Sequence, residues 1–276
     1  MSGHNKELDS IGLNMYEPCQ ELKPYVQCYW SISRPEELME TKPLKIIADG
    51  GMGVLFNYGG KITVSVNEIE FNVGRHGVIT GPTLHATYLT LQKQVSALGI
   101  RFNPAGAYPF ICGDMKIYTN KVLPFSMEGQ LPWHSLQQSL AQLSEPVEKV
   151  AALDNFLVKH MHSSRLASAN WLLGSIDTLC CHSGNIKIQE LCVQLNISQK
   201  QFERRFKQAV GLMPKQISRI FRLEKSRIIM RSFDFESLTQ VSQQCEYADQ
   251  AHFIREFKAL VQATPKQYVK EKKMSI

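Results

Sequence analysis

Residues 197–215 read Ile-Ser-Gln-Lys-Gln-Phe-Glu-Arg-Arg-Phe-Lys-Gln-Ala-Val-Gly-Leu-Met-Pro-Lys, and every other segment is read against them. Ser198 is a good N-cap, because its hydroxyl accepts from a first-turn N–H that has no helical partner. Phe202, Phe206 and Ala209 recur at i, i+4 and i+7 and share one helix face. Lys200, Glu203, Arg204 and Lys207 point the other way. Gly211 suits the residue just past a helix end, where positive φ is common. Pro214 starts a second helix. Upstream, Ile188, Leu191, Cys192 and Leu195 give a short helix, joined through Asn196-Ile197-Ser198. Helix, tight turn and helix is the helix-turn-helix arrangement, whose second helix can enter a DNA major groove. A generic helical hairpin with a solvated basic face has the same local signature.

The pattern recurs downstream. Ser237 to Tyr268 again predicts a short helix, a turn and a helix with Phe253, Phe257 and Leu260 on one face. Arg204 to Lys207 matches Arg255 to Lys258, and Met213-Pro214-Lys215 matches Thr264-Pro265-Lys266. A repeat with matched spacing is far less probable by chance than one motif.

These residues resemble the AraC/XylS family of transcription regulators over roughly Ala169 to Lys270. The family pattern places Arg, any residue and Phe-Lys in each recognition helix, then Gly, Pro and an aromatic. One long helix carrying Arg-Leu, here Arg222-Leu223, joins its two units. Three positions depart from it. Glu246 and Gln262 stand where the family carries glycines, and Ile217 stands where it carries an aromatic. The resemblance implies duplex DNA as partner.

At 276 residues, 43% hydrophobic and 20% charged, the chain is long enough for two domains and has ordinary globular composition. The seven cysteines form no Cys-x-x-Cys pair. They read as reduced, mostly buried residues, and with a polar N-terminal stretch and no membrane-length apolar run they predict a cytoplasmic protein; the family resemblance implies a bacterial, nucleoid-associated one. The net charge of +6 is uneven. Residues 169–276 hold 17 Lys and Arg against 10 Asp and Glu, whereas residues 1–168 hold 14 against 15. A polyanion partner is therefore expected for the C-terminal half alone.

From Ile46 to Phe102 the signals are mainly β. Val54–Tyr58 and Lys61–Val66 around Gly59-Gly60 predict a two-residue hairpin. Ile62, Val64 and Val66 alternate, as do Ile69, Phe71 and Val73. Further strands are expected at 77–80, 86–91 and 95–102, a density that suggests a sandwich or small barrel. Ile47 to Gly51 and Gly99 to Ala107 look like segments of sensor domains attached to such regulators, which are often cupin-like and bind an effector, dimerise or both. Trp30, Phe56, Tyr58, Tyr88 and Arg101 are the candidate effector-lining residues; ordinary core packing is the competing reading. No metal or cofactor is expected: His76 and His85 are isolated, and His160 and His162 do not share a helix face. Residues 131–163 read as helical, with Leu136, Leu140 and Leu143, then Val147, Val150, Leu153 and Leu157, either packing on the barrel or forming a dimer interface. Met161 to Ser168 reads as a linker.

The expected fold is α+β: a β-rich sensor domain over 1–130, a helical connector over 131–168 and a double helix-turn-helix domain over 169–276. The long helix, Pro214 to about Ser232, shows one apolar arc of Ile217, Phe221 and Ile228 and another of Ile220, Leu223 and Met230. Lys215, Arg219, Arg222 and Lys225 occupy the rest, with phosphates favoured for at least one. The expected DNA contacts are Ser198, Lys200, Gln201, Glu203, Arg204, Lys207, Lys215, Arg219, Gln250, His252, Arg255 and Lys258. The expected function is an effector- or dimerisation-controlled transcription regulator, an activator or repressor that also meets RNA polymerase, and not an enzyme. An alkyl-transfer DNA repair protein and a cupin enzyme with an accessory DNA module are the alternatives. The first lacks a Pro-Cys-His run, since Pro18-Cys19 is followed by Gln20, and the second lacks metal ligands.

The first recognition helix is richer in cations than the second. Arg204→Ala is therefore expected to cost about 1–3 kcal/mol of binding and to relax base preference in one half of the site. Arg255→Ala should cost less. Titration of both variants against single-base operator variants checks this, and a larger loss for Arg255→Ala refutes the ranking.

Overall fold

The computed structural model describes residues 11–35, 40–75, 77–111, 113–125 and 131–274. His76 and Cys112 lie outside these residues, as do the side chains of Ser163, Ser164 and Ser168.

Among the described residues, ten antiparallel strands form two sheets. They are β1 (Leu13–Tyr16), β2 (Val26–Ser33), β3 (Leu44–Ile46), β4 (Gly53–Gly59), β5 (Ile62–Val66), β6 (Ile69–Val73), β7 (Val78–Thr80), β8 (Thr87–Leu91), β9 (Ser96–Phe102) and β10 (Val122–Pro124). One sheet runs β1-β2-β9-β4-β7-β10 and the other β3-β8-β5-β6. Of the two expected forms this is the sandwich. Ile32, Leu55, Ile62, Val64, Leu89 and Leu91 fill the core between the sheets. The outer face of the six-stranded sheet is covered as well. There Tyr29, Val54, Phe56 and Phe102 pack against Trp133, Leu140, Leu153 and Leu157 of two helices, α1 (Trp133–Ala141) and α2 (Pro146–Lys159). A strand in the middle of that sheet is thus buried on both faces, as β4 is from Gly53 to Asn57.

The Gly59-Gly60 hairpin does not form. β4 pairs with β7 and β9, while β5 pairs with β6 and β8. At the glycines the chain crosses from one sheet to the other. Asn57 holds the crossing: its Nδ2 donates to the carbonyls of Gly60 at 3.0 Å and Val73 at 3.1 Å, and its Oδ1 accepts from Gly59 N at 3.1 Å. Gly60 has φ +75°, and a Cβ there would lie 2.7 Å from the Lys93 carbonyl oxygen. The glycines serve close backbone approach instead of a two-residue turn.

Polar groups fix the helical layer. The Asp154 carboxylate of α2 accepts from Tyr29 Oη at 2.6 Å and from Cys19 N at 3.1 Å. Buried Gln137 of α1 donates to the carbonyls of Asn57 at 2.9 Å and Arg75 at 2.7 Å. Val147, expected on the buried face, is 75% exposed in the first turn of α2. The expected linker is largely helical: α3 spans Ser163–Cys181. Arg165 in its first turn donates to the carbonyls of Tyr108 at 3.1 Å and Gly113 at 3.2 Å, and to that of Ile111. Its guanidinium lies over the Tyr108 ring at 4.7 Å. A polar, serine-rich stretch is compatible with a helix once such anchors hold one end.

The remaining helices are α4 (Ile188–Gln194), α5 (Gln199–Val210), α6 (Pro214–Ser232), α7 (Leu238–Gln244), α8 (Gln250–Val261) and α9 (Pro265–Met274). Phe202 and Phe206 of α5 are fully buried with Leu172, Leu191, Ile217 and Ile220. Phe253 and Phe257 of α8 are fully buried with Leu223, Met230, Val241 and Tyr268. The two cores divide α6 by position along its length, not by arc: Ile217, Ile220 and Phe221 serve the first and Leu223 and Met230 the second. Ile228, expected within an apolar arc, is 60% exposed.

Both substituted family glycines adopt left-handed backbone, Glu246 with φ 57° and Gln262 with φ 55°. Gly211, the first unit's counterpart of Gln262, has φ +85°. A side chain there costs roughly 1–2 kcal/mol, partly offset by the larger entropy that glycine loses on folding. Glu246→Gly is therefore expected to stabilise the fold by about 1 kcal/mol, read as a higher urea midpoint with unchanged m-value. An unchanged or lower midpoint refutes it.

Candidate nucleic-acid interface and ligand cavity

Helix α5 starts from a working cap, with Ser198 Oγ accepting from Gln201 N at 3.3 Å. Its aromatic seam is buried, which leaves Lys200, Arg204 and Lys207 exposed. Glu203 is half-buried and accepts from Gln199 Nε2 at 2.8 Å. Arg205 and Gln208, on the flank of α5, border a cleft with Tyr108 and Arg165. Helix α8 is capped by Asp249, which accepts from His252 N at 2.6 Å. That bond gives Asp249 a structural role. Arg255 and Lys258 are exposed. Gln250 accepts from Thr239 Oγ1 at 2.8 Å, and the His252 ring stands edge-on to Tyr247 with centroids 5.5 Å apart. The free outer face of α8 is thus narrower than the sequence suggests.

The basic stripe on α6 is largely engaged within the fold. Arg219 Nε donates to Glu256 Oε1 of α8 at 2.7 Å, tying the long helix to the second recognition helix. Arg222 Nη2 donates to the Gly184 carbonyl at 3.3 Å and its guanidinium lies 5.3 Å from the Tyr247 ring. Lys215 remains exposed. Arg219, expected at DNA, is paired here with a carboxylate on the neighbouring helix, a partner that a sequence pattern on one helix cannot reveal.

A cavity of about 340 Å³ opens between the sheets. Its walls are mostly apolar, including Trp30, Leu44, Leu55, Val64, Val66 and Leu89. Arg101 supplies a polar end, its Nε donating to Asp49 Oδ2 at 2.8 Å and its Nη2 to Asp49 Oδ1. Cys28 borders this pair. Burial pushes its thiol up, with Arg101 pulling it down and Asp49 adding to the rise. Burial also raises the thiols of Cys180, Cys192 and Cys245, the last to about 11. Of the five expected lining residues the cavity gathers Trp30 and Arg101. Phe56 faces the opposite core, with Phe125 at 5.4 Å and Trp133 at 6.3 Å between ring centroids. Tyr58 lies on that side too, with Lys149 Nζ 5.6 Å from its ring. Tyr88 points outward from β8 and donates to Gln262 Oε1 at 2.7 Å. Alternation identifies which residues of a strand share a face but not which face lines a cavity. Asp49, Leu55, Val64 and Thr80 were missed as lining; for Val64 the alternation of β5 was the available signal.

The β-rich part is joined to both helix-turn-helix units. Thr119 Oγ1 donates to the Gly211 carbonyl at 2.8 Å, and Ala105 is buried in the first helical core. Ile47 packs on the second core, and Leu84 packs on both. Among the described residues no three His, Cys, Asp or Glu side chains gather as a metal set, and no helix is long and apolar enough to cross a membrane.

Comparison with known proteins bears on both halves. Residues 191–271 match a family described as a helix-turn-helix domain, and residues 14–124 match one described as a domain of unknown function (DUF6597). The Xylose operon regulatory protein of Escherichia coli K12 is 32% identical over 83 residues, 30% of this chain. The match spans only 21% of that regulator's length. Among solved structures, ToxT of Vibrio cholerae gives a TM-score of 0.44 at 10% identity, covering 94% of this chain and 97% of that one. A transcriptional regulator with an AraC-type DNA-binding domain from Chromobacterium violaceum gives 0.36 at 19%, covering 39% and 96%. With two capped helices on aromatic seams, one shared long helix and this match, residues 191–271 belong to the helix-turn-helix domain family.

Proposed function

We propose that this protein is a sequence-specific, duplex-DNA-binding transcription regulator whose β-rich domain senses a small molecule in the cavity between its sheets. The observation that carries the first part is the pair of recognition helices with exposed Lys200, Arg204 and Lys207 on one and Arg255 and Lys258 on the other. Ser198 and Gln201 at the start of α5, and Gln250 and His252 at the start of α8, complete the proposed contact set, with Lys215 reaching phosphate from α6. The two helices are assigned to successive major grooves, roughly 34 Å apart on one face of the duplex. Arg204 suits guanine, Glu203 suits cytosine, and the lysines suit base edges or phosphates. The sensing role is supported by the cavity and by Ile47 and Leu84, which belong to the segments around it and pack on the helical cores.

The protein acts without catalysis in this reading. Alkyl transfer needs a thiolate stabilised below its ordinary value, and the resolved thiol shifts run upward. Regulation further calls for RNA polymerase as a contact and for pairing of two copies, for which the exposed Val147 and Val158 of α2 are candidate surface. The proposed location is the bacterial cytoplasm, on the nucleoid.

Two outcomes follow for the full-length chain. Its affinity for duplex fragments selected from genomic DNA should fall with salt, with a log–log slope of roughly −0.9 per neutralised phosphate. Salt-insensitive or absent binding, measured by fluorescence anisotropy, refutes the reading. Glu256→Gln should release Arg219 from its carboxylate and steepen that slope by up to roughly 0.9, one added phosphate contact. An unchanged slope means that Arg219 stays in the fold.

A further inference from the structure

A second recess lies apart from the cavity between the sheets. A cleft of about 290 Å³ opens where the β-rich half, α3 and the flank of α5 meet. Tyr108 and Gly113 come from the loop that follows β9, Arg165 and Trp171 from α3, and Arg205 and Gln208 from α5. Among the described residues the lining holds two guanidinium groups and no carboxylate. Asp114, the acid next to Gly113, is already paired with Lys116 at 2.9 Å. Two like charges on one cleft favour an anion between them, and a dianion most.

One arginine is fixed and the other is free. The three carbonyl bonds of Arg165 and its seat over the Tyr108 ring hold its guanidinium in place and leave Nε uncommitted. Arg205 and Gln208 are exposed, three residues apart on one side of α5. Among the described residues their side chains make no hydrogen bond or ion pair. Half-buried Trp171 stands edge-on to Phe202 with centroids 6.0 Å apart and gives the cleft a flat apolar wall. A guanidinium offers two parallel N–H donors that match two oxygens of a phosphate. The volume lies at the lower edge of the roughly 300–1,000 Å³ of small-molecule sites, so there is room for what the phosphate carries. Gln208 follows Arg204 by four residues, so the cleft adjoins the outer face of α5.

We propose that this cleft is a phosphate-group site. Arg205 and Gln208 donate to the phosphate oxygens, Arg165 supplies the second, fixed charge, and Trp171 packs on the substituent. The phosphate is either the monoester of a small phosphorylated molecule or a phosphodiester of the DNA backbone beside α5; the recognising chemistry is the same. In both cases α3 and the β-rich half take part in binding the anion, which the outer faces of α5 and α8 do not require. The DNA source rests on the regulator reading above, and the site itself does not.

The first arm of the test uses the full chain without DNA, so its result is separate from any failure to bind DNA. Phenyl phosphate is titrated at constant ionic strength by calorimetry and tryptophan fluorescence, with phenol and chloride as the uncharged and monovalent counterparts. Phenyl phosphate should bind saturably and change the emission of Trp171, a change that Trp171→Phe should remove. Arg205→Gln, an exposed position verified as folded by circular dichroism, should weaken it by roughly tenfold or more. Lys266→Gln, the same loss of charge at an exposed position of α9 outside the cleft, should leave it within about twofold. Equal losses for the two variants, or equal affinity for phenol, overturn the site. The second arm adds duplex DNA and separates the sources. If a backbone phosphate fills the cleft, Arg205→Gln should lower the log–log salt slope by roughly 0.9 and phenyl phosphate should displace DNA. If a free phosphate ester fills it, the slope should stay unchanged and phenyl phosphate should bind the DNA-bound protein equally well. No saturable binding of phenyl phosphate at about 10 mM, together with an unchanged salt slope or no DNA binding, overturns the proposal.

Discussion

The fold depends on one helix serving two hydrophobic cores. Along α6, Ile217 and Ile220 complete the core around Phe202 and Phe206, and Leu223 and Met230 complete the core around Phe253 and Phe257. Each helix-turn-helix unit alone is too small to bury its aromatic seam, so each takes part of its core from the shared helix. The spacing of the two recognition helices is thereby set by packing. Arg219 and Glu256 reinforce it by binding the shared helix to α8. The same interaction pairs a cation that an isolated helix would present to phosphate.

The β-rich half solves a different problem. A six-stranded sheet needs cover on two faces, and the chain supplies the second sheet on one and α1 and α2 on the other. The aromatic residues concentrate on the helix-covered side, where Phe56, Phe125, Trp133 and Phe156 make contact with one another. Between the sheets the side chains are mostly aliphatic and leave space. The cavity therefore lies on the face of β4 opposite its largest side chain.

The two halves meet through few polar bonds and a small number of apolar contacts. Tyr88 reaches the left-handed residue Gln262, Thr119 reaches Gly211, and Leu84 touches both helical cores. Gln262 and Gly211 are the C-cap residues of the two recognition helices. The β-rich half thus bears on the ends of the helices and leaves Lys200, Arg204, Lys207, Arg255 and Lys258 exposed.

Much of this was legible in the residues themselves. Ser198, Gly211, Pro214 and the Phe202–Phe206 spacing determine where α5 begins, which face it buries and where it stops, because capping and helical periodicity are local. The matched Phe253–Phe257 segment carries the same information for α8. Strand positions from Ile62 to Phe102 were likewise readable from alternation. Tertiary structure alone decided the partners. Gly59-Gly60 could close a hairpin or cross between sheets, and the outcome followed from β9 claiming the edge of β4. Phe56 and Tyr58 could face either side of a doubly covered strand. Arg219 could meet a phosphate or Glu256, a residue distant in sequence. In each case the local pattern permits two arrangements, and the choice rests on long-range packing or charge that no short window contains.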